Sequence, residues 1–160
     1  MAIANAEQEA FKAMRAIMVL DTASGGLFAA TGTLTNYLSG GVYLADDPAA
    51  HAHGAYPRVL FSISGPDRYD GEANEVANLS VRVIVEVDRN NAFGAGDNHF
   101  DAGVMAGICN RLKTVFDTVS LTVGNFGTCK MHISRGPYPA PSTKDIVRRI
   151  IEIPLTLVAA

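Results

Sequence analysis

Residues 79–87, LSVRVIVEV, alternate with a period of two, and this constrains the chain more than any other stretch. Leu79, Val81, Val83, Val85 and Val87 fall on one side, with Ser80, Arg82, Ile84 and Glu86 on the other. Valine is β-branched and loses least on a pleated surface. The pattern predicts a strand with one buried face and one mostly wet face, broken only by Ile84. Such a strand is about 30 Å long at ~3.3 Å per residue. A helix over 97–116 is also about 30 Å long at ~1.5 Å per residue. One can therefore lie across the sheet that holds the other, and the remaining elements must fit around that pair.

The first helix is expected over 5–20, where Phe11, Met14, Ile17 and Met18 recur at helical spacing and Glu7 and Glu9 suit its positive end. Asp21 to Gly26 stops it. Residues 27–30 and 33–38 are too short to assign firmly, and Ser39-Gly40-Gly41 ends the second of them. Val42-Tyr43-Leu44 reads as a short strand. Asp46-Asp47-Pro48 and the small, polar run Ala49 to Gly54 read as an exposed loop. Tyr56-Pro57 leads into a strand over Arg58 to Ser64, with Val59, Phe61 and Ile63 in phase.

Residues 65–78 (GPDRYDGEANEVAN) form a polar connection too long for a two-residue turn, and are expected to make a hairpin arm. Asp88 to Gly96 is a second polar link, and Asp97 or Asn98 can cap the helix that follows. Its apolar stripe is Phe100, Val104, Ile108, Leu112, Val115 and Phe116. Gly103 and Gly107 lie beside it, each costing up to ~1 kcal/mol of helix propensity, for which close packing is the usual compensation. Val119–Phe126 and Thr128–Ser134 are strand candidates. GPYPAP at 136–141 reads as a stiff connection, and Ile146–Val158 as a final strand in which Pro154 marks a free edge. The order predicts an α+β fold: a mostly antiparallel sheet, two main helices on one side, and a long polar hairpin arm.

At 160 residues and 48% hydrophobic, the chain is expected to form one domain with a substantial core. A net charge of −3 with scattered cations gives no basic stripe for nucleic acid. The start lacks a basic region followed by an apolar run, so no secretory signal is read there. No stretch reaches the ~20 apolar residues of a membrane span. Cys109 and Cys129 are expected as small buried groups in a chain made in a reducing cytoplasm.

Candidate chemistry is sparse. His51 and His53 with Asp46 and Asp47 lack the spacing of a zinc site. Asp97, Asn98, His99 and Asp101 do not keep the register of a calcium loop, and helix capping accounts for them better. Gly25-Gly26 and Gly40-Gly41 are not followed by the Lys-Ser or Lys-Thr of a phosphate loop, and Ser24 and Ser64 are not in a nucleophile elbow. A small enzyme or ligand-binding domain would need the fold to gather His99, Asp101 and His132. The favoured expectation is no catalytic residue, no metal and no cofactor. The two polar arms joined to a rigid strand suit contact between subunits instead. The expected interface residues are Asp67, Arg68, Tyr69, Asp70, Glu72, Glu75, Arg89 and Asn90.

The order of pieces carries a resemblance. Gly41-Val42-Tyr43, Pro48, Tyr56-Pro57-Arg58-Val59-Leu60, Leu79 to Val87 and the helix from Phe100 to Phe116 follow one another as in the tail terminator, or tail-completion, proteins of tailed bacteriophages. The chain resembles that family from about residue 7 to 158 through order and spacing, without a signature motif, and departs from it in the length of 21–40 and in the loop 49–54. The resemblance implies a single terminator-like domain over 1–160 and a non-enzymatic virion protein assembled in the host cytoplasm. It implies a homo-hexameric ring that caps the head-proximal end of the tail tube, stops tube polymerisation and offers the docking surface for the head. Its partners would be further copies, the tail tube protein and the neck or connector protein, with the sheath protein as a further contact. DNA would enter only as cargo through the lumen, and no membrane would be involved. Connectors and tube initiators, other ring proteins of neck and tail, have similar small folds and are the alternative within this class.

Overall fold

A computed structural model describes residues 6–23, 26–28, 38, 40–52, 56–65, 76–88, 100–124, 126–143 and 145–158. The elements run α1 (Ala6–Val19), β1 (Val42–Leu44), α2 (Pro48–Ala52), β2 (Arg58–Ser64), β3 (Val76–Asp88), α3 (Phe100–Phe116), β4 (Ser120–Thr122), β5 (Thr128–Lys130), β6 (Arg135–Pro139) and β7 (Ile146–Val158). Five strands form one sheet in the order β1-β2-β3-β7-β6, with β1 parallel to β2 and every other pair antiparallel. β4 and β5 make a separate hairpin. The architecture is α+β.

The alternating strand is the centre of the sheet. Leu79, Val81, Val83, Val85 and Val87 are all buried, and β3 pairs with β7 along thirteen residues, from Val76↔Val158 to Asp88↔Ile146. Their buried sides meet α1 through Ala6, Ala10, Met14 and Met18, and α3 through Val104, Met105, Ile108, Cys109, Leu112, Val115 and Phe116. Phe61 of β2 takes Phe11 and Phe116 edge-on, at ring-centre distances of 5.4 and 6.3 Å, so one aromatic joins sheet and both helices. The β4–β5 hairpin closes the same core with Leu121, Val123, Phe126 and Met131. Gly127 N–H donates to the Val158 carbonyl at 2.8 Å and ties that hairpin to the end of β7.

Several expectations change. Pro48–Ala52 is a short helix with Ala50 buried, where small polar residues suggested an exposed loop; Asp47 Oδ1 accepts the Ala49 N–H at its start. β3 takes Val76 to Asn78 from the expected arm, because β7 is long enough to pair with them. The 136–141 connection is mostly strand: β6 runs along β7, and Pro137 and Pro139, which lack donors, sit on the outermost strand where a missing N–H breaks no ladder. Pro154 lies beyond the β7 residues that β6 pairs with, so the free edge expected there exists. The hairpin strands at 119–134 shrink to three residues each. Cys109 is buried and free, Cys129 half-buried and free. Among the described residues no helix is long and apolar enough to cross a membrane.

Candidate functional site

The helices α1 and α3 both cover the side of the sheet that carries the β3 valines. The opposite side is built from the alternate residues, and the register places them in three rows. One row is Tyr43, Leu60, Ile84, Ile150 and Tyr138, one residue from each of the five strands. Leu60 is buried and the other four are half-buried. The single apolar interruption seen in the polar face of the sequence, Ile84, is thus the midpoint of a belt that spans the sheet.

On one flank lies the row Arg58, Glu86, Arg148. Glu86 is only 1% exposed, which corrects the expectation of a wet position. Arg58 Nε donates to Glu86 Oε1 at 2.6 Å, while Arg148 Nε donates to Oε2. Arg58 also donates to the Ala50 carbonyl of α2, and Arg148 Nη1 to the Pro141 carbonyl at 3.3 Å. A carboxylate taken this far from water requires such pairing, and here two guanidinium forks supply it. The row is left with one positive charge in excess.

On the other flank lie Ser62, Arg82 and Glu152, with Arg135 opposite Glu152. Arg82 pairs with Glu152 at 3.3 Å, and the Tyr138 hydroxyl donates to Glu152 at 3.0 Å. The Arg135 guanidinium sits 4.5 Å from the centre of the Tyr138 ring, within cation–π range. An aromatic and aliphatic belt framed by arginines has the composition of a protein-binding surface, where Tyr and Arg are enriched.

Of the expected interface residues, Asp67, Arg68, Tyr69, Asp70, Glu72, Glu75, Arg89 and Asn90 all lie outside the described residues. Their attachment points are described. Gly65, at the end of β2, donates its N–H to Glu7 Oε1 of α1 at 2.9 Å, which fixes one root of the 66–75 segment, and Val76 opens β3 at the other. An open cleft of about 320 Å³ lies close by, between the start of α1 and the β1–β2 edge, with Glu7 and Asp46 in its wall.

Of His99, Asp101 and His132, the last is exposed, while His99 and the Asp101 side chain lie outside the described residues. The proposed cap at Asp97 or Asn98 lies outside them too, as does Gly25, while Gly26 donates its N–H to the Ala23 carbonyl at 2.8 Å in the turn after α1. No group of three or more His, Cys, Asp or Glu side chains suited to a metal occurs among the described residues. What residue-by-residue reading missed is the ion cluster. Its members are 28 and 62 positions apart, and only the pairing register brings them side by side. Comparison with protein-family models, with curated proteins and with solved structures finds no match for this chain.

Proposed function

We propose that this protein is a non-enzymatic, ring-forming structural subunit of a phage tail or neck, in the manner of the tail terminators its sequence resembles. The observation that carries this reading is the second face of the sheet. Both main helices pack on one side, and the other presents a belt of Tyr43, Leu60, Ile84, Ile150 and Tyr138 between arginine-bearing rows. A surface of that composition suits another protein surface. The polar segments 66–75 and 89–99 leave from opposite ends of β3, so a rigid strut about 40 Å long, at ~3.3 Å per residue, separates two potential contact points. In this reading the subunits form a hexamer that ends tail-tube growth and receives the head, and the protein resides in the virion.

Native mass spectrometry of the purified full chain tests it. A closed oligomer, with six copies as the expected number, supports the proposal; a strictly monomeric species, both free and in particles, overturns it. Deleting residues 67–75 is expected to leave the circular dichroism and thermal transition of the fold in place while abolishing assembly and control of tail length.

A further inference from the structure

The two outermost strands of the sheet, β6 and β1, bring opposite charges to its two edges. On β6, Arg135 is exposed, and its guanidinium rests 4.5 Å from the centre of the Tyr138 ring, which holds it at the edge. Glu152, opposite Arg135 in register, is taken up by Arg82 at 3.3 Å and by the Tyr138 hydroxyl at 3.0 Å. No ion pair among the described residues includes Arg135. At the β1 edge lies the open cleft of about 320 Å³, with Glu7 and Asp46 in its wall and Leu44, Phe61 and Ile63 as its apolar lining. Glu7 accepts the Gly65 N–H through one oxygen, and neither carboxylate is in an ion pair among the described residues.

A chain cannot bring these two together by itself. Three strands separate β6 from β1, and four spacings of ~4.8 Å put the edges about 19 Å apart. Arg135 also stands on the open face, whereas the cleft lies on the side that α1 covers. Nor do the edges invite a shared ladder between copies. Pro137 and Pro139 give β6 no N–H to offer an added strand. β1 is three residues long and ends in a turn where the Asp47 N–H donates to the Leu44 carbonyl at 3.0 Å. A contact at these edges is therefore made by side chains and between copies.

We infer that Arg135 of one copy docks in the cleft between α1 and the β1–β2 edge of the next, its guanidinium between Glu7 and Asp46, in a head-to-tail contact. The chemistry of the two sides matches. A guanidinium is weakly hydrated and pairs with carboxylates through its planar fork, while its aliphatic stem suits the lining of Leu44, Phe61 and Ile63. The open side of β6 then meets the helix-covered side of the next β1, so consecutive sheets overlap. Such a contact joins different patches on the two copies, so it is heterologous and closes into a ring when the rotation between copies divides a full turn. The inference rests on the ring reading above and adds which surfaces meet.

Charge exchange in the full-length chain tests it, read by native mass spectrometry with circular dichroism as the check on folding. Asp46→Arg and Arg135→Asp, each alone, are expected to lose the oligomer, since like charges then meet at every contact. The chain carrying both substitutions is expected to assemble again, as is an equimolar mixture of the two single variants, because each contact then pairs opposite charges. A second experiment leaves the assembled contact to report on itself. Chains with Asp46→Cys and chains with Arg135→Cys, both in a Cys129→Ser background, are mixed and treated with a short bismaleimide. A covalent link between the two kinds of chain supports the contact. Single charge variants that assemble normally, exchanged charges that fail to restore assembly, or oligomers that give no such link overturn this contact and leave the ring standing. A wild-type chain that stays monomeric overturns the ring reading itself.

Discussion

Glu86 shows how a single side chain can be decided by its neighbours across the sheet. In sequence it is the polar member of an alternation and belongs in water. In the fold it is buried between Arg58 and Arg148, and α2 closes over Arg58 by offering the Ala50 carbonyl. Glu86→Ala is expected to destabilise the fold by about 3–5 kcal/mol, because it leaves two guanidinium groups facing each other without their anion. Changing Arg58, Glu86 and Arg148 together to apolar residues of similar volume is expected to recover most of that loss. Urea denaturation of both variants checks the pair of outcomes.

Asp21 poses a related problem with a pH signature. Its carboxylate takes Arg111 Nε at 2.7 Å and the Leu27 N–H at 2.9 Å, so it clasps the chain after α1 to α3. The Arg111 hydrogen bond holds the carboxyl below its ordinary range, against the opposing effect of burial. A lowered folded-state pKa stabilises the protein above the ordinary aspartate pKa, and that contribution disappears as pH falls through the lowered value. Wild type is therefore expected to exceed Asp21→Asn in stability at neutral pH, with the gap closing in acid. Denaturation midpoints measured across that range check it. Burial also pushes the Cys109 thiol up to about 11, in keeping with a small core group.

At the scale of elements, strands and helices with a strong period were legible, while elements that exist only through a neighbour were not. The valine alternation marks β3 because one face is wholly buried, and the period of Met14 and Met18 marks α1 because it lies on one apolar surface. β6 has no such pattern. RGPYP becomes a strand because β7 offers it a ladder and because the chain can turn at Gly136, which has φ of +99°. A Cβ at that position would stand 2.3 Å from the Ile150 carbonyl oxygen. Gly136→Ala is thus expected to cost more than about 1 kcal/mol, through strained backbone and a clash with an unyielding atom. Hydrogen exchange should show the loss first along β6 and the outer side of Ile150, with β2 and β3 protected. α2 was missed for the same reason: a helix of five residues has no stripe of its own, and among its described side chains Ala50 is the buried one.

For the whole molecule, the uneven charge matters more than the net value. A chain with −3 overall carries arginines in rows on the open face of its sheet, Arg58 and Arg148 about Glu86, and Arg82 and Arg135 beside Glu152. Contacts made through such surfaces are screened by salt, with a Debye length near 10 Å at 0.1 M and ~3 Å at 1 M. Assembly is accordingly expected to weaken as ionic strength rises, while the thermal transition of the isolated subunit changes little, because its core is apolar. Sedimentation of the full chain across a salt series checks this. If the oligomer grows more stable with salt, the apolar belt rather than the arginine rows dominates the contact.

By itself the sequence determined the central strand, both main helices, the α+β class and the side of the sheet that the helices cover. These follow from periodicity, which records whether a face meets water or a core. Only the tertiary structure decided what the other face carries. Tyr43, Leu60, Ile84, Ile150 and Tyr138 come from five separate strands, and Arg58, Glu86 and Arg148 from three. The members of a row lie far apart in the chain, because a sheet joins residues across strands and register determines which side chains become neighbours.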